Sequence, residues 1–197
     1  MTQLEIMGAN AKNASVFLRT AGSKKDDALL AIAKALREHS DEIIKANEID
    51  IENGKNAGLT ESLLDRLRLT PERINGMAEG VEQVAALADP IGNVLEGRTL
   101  KNGLNIEKVR VPMGVIGIIF EARPNVTSDA AALCLKSGSA VILRGGKEAI
   151  SSNLAVSEIM RNAVESVGFP KDCIALVKDT SRQSATELMQ LSDYLDV

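Results

Sequence analysis

The sequence is poor in aromatic residues, because its 197 residues include no Trp, one Tyr and three Phe. Proteins that bind single-stranded nucleic acid stack the bases on aromatic rings, and proteins that bind duplexes need a basic surface that displaces counterions. This chain instead has a formal net charge of −4 at pH 7. We therefore expect it to have no nucleic-acid partner.

Cysteine and histidine are also scarce, with only Cys134, Cys173 and His39 in the whole chain. The two cysteines are too few and too far apart for a zinc site or a disulfide framework. A Ser–His or Cys–His nucleophile would depend on His39 alone, which follows a helical stretch and is expected to be a solvated residue near a helix end. The sequence therefore predicts no metal site.

Long apolar segments are absent as well, since none approaches the roughly 20 residues that cross a bilayer. The first residues, MTQLE, lack the basic start and apolar stretch of a signal peptide. We therefore expect a soluble, cytoplasmic protein with no membrane partner. Its 45% of hydrophobic residues suffice for the core of one ordinary domain, but the chain is short for a two-domain enzyme.

Residues 1–90 are predicted to form a helical lead-in to the rest of the chain. Apolar residues recur at the period of a helix face in two stripes: Leu29, Ile32, Ala33 and Leu36, then Ile74, Met77, Val81 and Val84. Between the stripes, Thr70 followed by Pro71 is typical of an N-cap with proline in the first helical position. Each stripe is expected to be the buried face of an amphipathic helix.

Residues 91–111 are predicted to form a polar β-hairpin. Two polar, alternating segments flank the pair Asn102-Gly103, and an Asn-Gly pair is the strongest short-range signal of a hairpin turn. Because this hairpin has little apolar surface, it cannot be a core element by itself. We expect it to lie at a sheet edge or to project toward a partner.

Residues 112–197 are predicted to form an incomplete, Rossmann-like α/β unit with a doubly wound parallel sheet. Nearly continuous apolar runs at 115–120, 140–143 and 174–177 alternate with helical patterns, which indicates parallel strands covered on both faces. A last helix is expected from Thr180-Ser181 to about Leu191. Residues 193–197 are then expected to enter a fourth parallel strand, so that the sheet is truncated.

Helical periodicity also predicts the environment of the two cysteines. The helix after the first strand is expected to bury Val126, Ala130, Leu133 and Cys134, which makes Cys134 an inert core thiol. Cys173 opens a strand, has no neighbouring base, and is expected to be structural too.

Ligands of open α/β sheets bind at the carboxyl ends of the strands, and the loop at 121–127 is the first of two loops there that carry polar groups. Arg123 supplies a planar fork of donors, and the amide of Asn125 is suited to donate a hydrogen bond to a developing oxyanion. The alternative for Asn125 is a helix N-cap without a ligand.

The second loop contains Arg144, Gly145, Gly146 and Lys147. Paired glycines let the backbone approach an anion closely, and the N-terminus of the following helix and two cations favour negative charge. This pattern predicts a site for phosphate or a phosphorylated cofactor. It is neither the G-x-G-x-x-G fingerprint nor a P-loop, and a basic turn without a ligand is the alternative.

The α/β unit resembles the γ-glutamyl phosphate reductase family, also called glutamate-5-semialdehyde dehydrogenase, of the aldehyde dehydrogenase superfamily. The resemblance rests on VPMGVIGIIFEARPNVT at 111–127, LCLKSG at 133–138, AVILRGGKEA at 140–149 and DTSR at 179–182. It implies an aldehyde dehydrogenase-like fold and an oxidoreductase of proline biosynthesis. Such an enzyme reduces γ-glutamyl phosphate to glutamate-5-semialdehyde with NADP(H), through a thioester on a cysteine.

The resemblance also implies roles for the loop residues. Asn125 matches the residue that helps hold the oxyanion of the thiohemiacetal. Arg144 matches a basic residue that contacts the adenosine ribose or its phosphate, with Gly145, Gly146 and Lys147 beside it. Arg123 is implied to bind substrate or cofactor. The hairpin resembles the oligomerisation extension of the superfamily, which implies a homo-oligomer.

The family's nucleophilic cysteine belongs to a later catalytic domain, and neither Cys134 nor Cys173 matches it. We therefore interpret residues 1–197 as the N-terminal, cofactor-binding portion of a reductase. Two alternatives remain, a stand-alone module that binds nucleotide or phosphate, and another acylating member of the superfamily, such as one that uses a coenzyme A thioester. The 121–125 loop matches the phosphate-substrate reductases rather than general aldehyde dehydrogenases.

We predict that this chain by itself has no reductase activity, because without the nucleophilic thiol no acyl-enzyme forms and no hydride transfer is completed. A steady-state assay with NADPH and γ-glutamyl phosphate measures this. Turnover that depends on both compounds would contradict the prediction.

Overall fold

The computed structural model describes residues 1–197, and the first 90 residues are helical as predicted. The five helices are α1 (Gln3–Leu18), α2 (Lys24–Glu38), α3 (Ser40–Asn56), α4 (Glu61–Leu67) and α5 (Pro71–Ala86). The hydroxyl groups of Thr60 and Thr70 cap α4 and α5 by accepting hydrogen bonds from backbone N–H groups of the first turn. None of the helices combines the length and the apolar character needed to cross a bilayer.

Both predicted stripes face the core. The α2 stripe is fully buried, and on α5 Ile74, Met77 and Val81 are buried while Val84 is half-buried. The two helices pack on each other and on the α/β unit, so that one continuous apolar core runs through both parts of the chain.

The predicted hairpin is confirmed, and it projects from the body of the protein. Its strands, β1 (Val94–Thr99) and β2 (Asn105–Val109), pair antiparallel, and every residue of both strands is exposed. Gly103 in the turn has φ +85°, a conformation that a residue with a side chain rarely adopts.

The predicted parallel sheet is also confirmed. Its strands are β3 (Val115–Ile119), β4 (Ala140–Arg144) and β5 (Ile174–Leu176), which lie side by side in that order. The intervening helices, α6 (Asn125–Lys136) and α7 (Ile150–Ser166), cover one face, and α1 packs against the other. Residues 140–143 are fully buried, as a strand covered on both faces must be.

After α8 (Arg182–Met189) the chain returns to the edge of β3 opposite β4. The N–H of Asp196 donates to the carbonyl of Val115, and the N–H of Gly117 donates to the carbonyl of Val197, both at 2.8 Å. Residues 193–197 do not form a strand, but these two hydrogen bonds place the chain at the edge of β3 where the fourth parallel strand was predicted. With the chain end on one side of β3 and β4 on the other, the carboxyl end of β3 is the type of position where open α/β sheets bind ligands.

The predicted phase of α6 is wrong at one position. Leu133 is 56% exposed, whereas Cys134 is buried as expected. The helix lies against α5, α7 and β4, and the residues that it buries there are mostly small or polar: Thr127, Ser128, Ala131, Ala132, Cys134, Leu135 and Lys136. Leu133 is large and apolar but lies beside this buried face, which small and polar side chains fill instead.

A buried polar network joins the helical lead-in to the α/β unit. The carboxylate of Asp50 on α3 accepts hydrogen bonds from the N–H groups of Ser151 and Ser152, at 3.1 and 2.7 Å, and from the Ser152 hydroxyl at 2.7 Å. Asp50 is 1% exposed and satisfies donors at the start of α7 that have no partner within the helix.

We predict that Asp50→Ala lowers the free energy of unfolding by about 2–3 kcal/mol, because it leaves buried N–H groups at the start of α7 without an acceptor. Urea unfolding followed by circular dichroism measures the change. The matched control is Glu48→Ala, an exposed carboxylate on the same helix, for which we expect less than about 0.5 kcal/mol. Equal midpoints for the two variants would contradict this role of Asp50.

Candidate functional site

Two cavities meet at the carboxyl ends of β3 and β4. The first, which we call the strand-end crevice, has a volume of about 510 Å³ and lies between the loops after these strands and α4. The second, the arginine cleft, has a volume of about 430 Å³ and lies between the α4–α5 segment and the start of α6. Arg66 and Arg123 line both cavities, so the two spaces are adjoining parts of one site.

Arg144, the last residue of β4, lines the strand-end crevice. Its Nη2 donates to the carbonyl oxygens of Thr180 and Ser181, at 2.6 and 2.9 Å, and so joins the β4 loop to the start of α8. The Nε of Arg144 is buried and has no hydrogen-bond partner. The guanidinium group thus has donors left for a ligand.

The two glycines after Arg144 allow close packing at the bottom of the crevice. A Cβ atom on Gly145 would lie 2.2 Å from Nδ2 of Asn153, and one on Gly146 would lie 2.8 Å from Oε2 of Glu148. Gly146 and Glu148 line the crevice, while Gly145 does not. Lys147 is exposed in the 3-10 turn Lys147–Ala149 and also lies outside the lining.

Asn125 is the first residue of α6 and lines the arginine cleft. Its side chain does not cap the helix, because Nδ2 donates to Oδ2 of Asp129 one turn later, at 3.0 Å. The second N–H of the amide makes no hydrogen bond within the protein. Asn125 can therefore donate to a ligand from an orientation that Asp129 restrains.

Asp129 lines the cleft beside Asn125. Partial burial of its carboxyl group raises the pKa of Asp129, although hydrogen bonds from the Asn125 amide and the Ser128 hydroxyl act in the opposite direction. The carboxyl group of Asp129 therefore binds a proton more readily than the carboxyl group of an exposed aspartate does.

Sequence reasoning missed one wall of the site. The segment from Asp65 to Arg73 contributes three arginines, Arg66, Arg68 and Arg73, to the arginine cleft. Three arginines within eight residues around a short helix were a signal of local positive charge. Nothing in the local pattern indicated that this charge would face Arg123 and Asn125, which are about fifty residues further along the chain.

Both cysteines are buried, as their predicted structural role requires. Cys134 is 5% exposed and Cys173 is fully buried, and neither lines either cavity. Burial raises the pKa of Cys134 to about 11 and that of Cys173 to about 12. Neither thiol has the exposure or the acidity of a nucleophile.

The family model for the aldehyde dehydrogenase family matches residues 2–194. The γ-glutamyl phosphate reductase of Clostridium beijerinckii is 52% identical over the whole of this chain. Among solved structures, the γ-glutamyl phosphate reductase of Thermotoga maritima aligns with a TM-score of 0.96 at 39% identity, over 98% of this chain. The enzyme of the same name from Saccharomyces cerevisiae aligns with a TM-score of 0.91 at 33% identity, over 99% of this chain.

These matches cover only part of each relative. The chain spans 48% of the Clostridium beijerinckii protein, 47% of the Thermotoga maritima chain and 50% of the Saccharomyces cerevisiae chain. The sequence thus corresponds to about half the length of the proteins that it resembles.

We predict that both thiols of the folded protein resist alkylation by iodoacetamide at pH 8. Burial blocks the reagent, and a thiol with a pKa of about 11 is ionised to only roughly one part in a thousand at that pH. Mass spectrometry of the alkylated protein measures the modification, with the urea-unfolded chain as the positive control. Rapid labelling of either cysteine in the folded state would contradict the structural role of that residue.

Proposed function

The chain belongs to the aldehyde dehydrogenase family, and from this membership we propose that it is the cofactor-binding portion of an NADP(H)-dependent γ-glutamyl phosphate reductase. The proposed reaction consumes γ-glutamyl phosphate, NADPH and a proton and yields glutamate-5-semialdehyde, phosphate and NADP⁺. The observation that carries the proposal is the arrangement of Asn125, Arg123 and two adjoining cavities at the carboxyl ends of β3 and β4. A cytoplasmic location, as expected for an enzyme of proline biosynthesis, is part of the same proposal.

The strand-end crevice fits the cofactor. Its volume of about 510 Å³ lies within the range of small-molecule sites, and half of its lining residues are apolar, which suits a planar ring. The buried, unpartnered Nε of Arg144 is a donor that a phosphate or ribose oxygen would satisfy. When bound, the cofactor supplies the hydride. Arg144 and Gly146 would hold it, Gly145 would allow the close packing beneath, and Lys147 would add positive charge nearby.

The arginine cleft fits the substrate. Asn125 donates to the acyl oxygen, where negative charge develops during acyl transfer, and Asp129 keeps the amide in that orientation. Arg123 lies where the two cavities meet and is assigned to the substrate's phosphoryl group in this proposal. The nucleophilic thiol is supplied by another part of the protein, since Cys134 and Cys173 are buried away from both cavities.

The hairpin supports the proposal of a homo-oligomer. Both of its strands are wholly exposed, and the outer edges of β1 and β2 have backbone donors and acceptors without a strand partner. Apolar side chains on the hairpin, including Leu95 and Ile106, are also exposed. A second copy of the chain that pairs with the hairpin would form hydrogen bonds with these backbone groups and cover these apolar side chains.

We predict that two substitutions in the complete reductase separate its kinetic constants. Asn125→Ala should lower kcat by about 10²–10³-fold, because one oxyanion donor is lost, and should leave the KM for NADPH unchanged. Arg144→Ala should raise the KM for NADPH, because a cofactor contact is lost. Initial rates at varied concentrations of NADPH and γ-glutamyl phosphate measure both constants.

The control variant is Arg19→Ala, an exposed arginine after α1 that lines neither cavity, with wild-type constants expected. Thermal unfolding of Arg144→Ala shows whether the loss of its contacts with Thr180 and Ser181 also destabilises the loop. A wild-type kcat for Asn125→Ala, or a complete protein without NADPH-dependent turnover of γ-glutamyl phosphate, would overturn the proposed function.

A further inference from the structure

The arginine cleft concentrates positive charge on a protein whose net charge is −4. Four arginines and two aspartates line it. One pair is internal, because Nη2 of Arg73 contacts Oδ1 of Asp65 at 2.9 Å while Nη1 donates to the carbonyl of Arg68 at 2.8 Å. The other carboxylate, Asp129, accepts the Asn125 amide. Both carboxylates of the cleft are therefore engaged.

Three guanidinium groups remain without a partner. The side chains of Arg66, Arg68 and Arg123 take part in no hydrogen bond or ion pair, although each has five N–H donors. They come from three different segments: α4, the α4–α5 connection and the loop after β3. Gathering like charges in one concave site costs electrostatic free energy, and a bound anion offsets that cost through charge-assisted hydrogen bonds.

The α4–α5 connection is held firmly, so these arginines are carried on a fixed backbone. The amide of Asn47 donates to the carbonyl of Leu67 and its oxygen accepts the N–H of Leu69, both at 2.8 Å. These contacts bracket Arg68, whose own carbonyl is held by Arg73. Because the backbone is already held, the ordering cost of binding an anion falls on the arginine side chains alone.

A glycine on the opposite wall keeps the cleft open. Gly76 lies within α5, where glycine is less favourable than alanine, and it lines the cleft. A Cβ atom on Gly76 would meet no atom within 4 Å. No tight packing therefore requires glycine there, but a side chain would extend into the space that the arginines surround.

We propose that Arg66, Arg68 and Arg123 bind the anionic groups of a small acyl phosphate substrate and determine the enzyme's specificity for it. The proposal deepens the proposed function and rests on it for the identity of the acyl phosphate. A phosphoryl group at one end and a carboxylate at the other require several guanidinium groups in one cleft. Asn125 in the same cleft then donates to the acyl oxygen between them.

A phosphate ligand has two possible sources here, the substrate and the 2′-phosphate of the cofactor. The cleft is assigned to the substrate because it contains Asn125, whereas Arg144 lines only the strand-end crevice. The probes are inorganic phosphate and glutarate for the substrate, and 2′,5′-ADP for the cofactor. Calorimetric titration of the chain with each probe distinguishes the two sources.

We predict that Arg66→Gln and Arg68→Gln each weaken the binding of phosphate and glutarate by about tenfold, because each removes a charge-assisted hydrogen bond. The binding of 2′,5′-ADP should be unchanged in Arg68→Gln, because Arg68 lines only the arginine cleft, whereas Arg66 also lines the strand-end crevice. Arg19→Gln, which alters an exposed arginine that lines neither cavity, is the matched control. In the complete reductase, Arg68→Gln should raise the KM for γ-glutamyl phosphate and leave the KM for NADPH unchanged.

Gly76 provides a second test that does not remove charge. Gly76→Ala should raise Tm by about 2 °C through helix propensity, and Gly76→Leu should abolish phosphate binding by filling the cleft. Phosphate binding by a folded Gly76→Leu chain with wild-type affinity would overturn the proposal.

Three other results would also overturn it: no measurable binding of phosphate or glutarate by the wild-type chain, wild-type affinity of the Arg66 and Arg68 variants, or weakened binding of 2′,5′-ADP by the Arg68 variant. The last result would assign the cleft to the cofactor. If phosphate and glutarate bind through Arg66 and Arg68 but the complete protein does not use NADPH, the proposed function fails while the anion site stands.

Discussion

The buried polar network around Asn47 and Asp50 determines how the helical lead-in lies against the α/β unit. Asn47 contacts the backbone of Leu67 and Leu69 and donates to the Ser152 hydroxyl, which in turn donates to Asp50. Every member is buried, and the network joins α3, the α4–α5 connection and the first turn of α7. A buried network of this kind specifies one arrangement of the helices, because any other arrangement would leave buried polar groups without hydrogen bonds and so cost free energy.

This network has a direct consequence for the site. The α4–α5 connection is one wall of the arginine cleft, and the other wall belongs to the loop after β3 and to α6. The cleft therefore exists only where the two parts of the chain meet. Parallel pairing of β3 with β4 adds the strand-end crevice beside it, since the carboxyl ends of parallel strands lie at the same edge. The proposed cofactor and substrate sites are thus neighbours that share Arg66 and Arg123.

Much of the fold could be predicted from the sequence because its signals are local. Apolar runs marked the three strands, Asn102-Gly103 marked the hairpin turn, and Thr70 marked the start of a helix. Arg123, Asn125 and Arg144 were proposed as site residues because they lie at the end of a strand or in the loop after it. The exception was α6, where Leu133 looked like a core residue although small side chains occupy the crowded face.

The sequence by itself determined the order of helices and strands, the exposed hairpin, the buried cysteines and the polar loops after β3 and β4, because each depends on neighbouring residues in the chain. Only the tertiary structure decided that Arg66 and Arg68 face Arg123, that Asp129 restrains Asn125, and that Lys147 lies outside the crevice lining. Charge that comes from distant segments converges through long-range contacts such as the one that Asp50 and Ser152 make between α3 and α7. Periodicity and spacing carry no information about such long-range contacts.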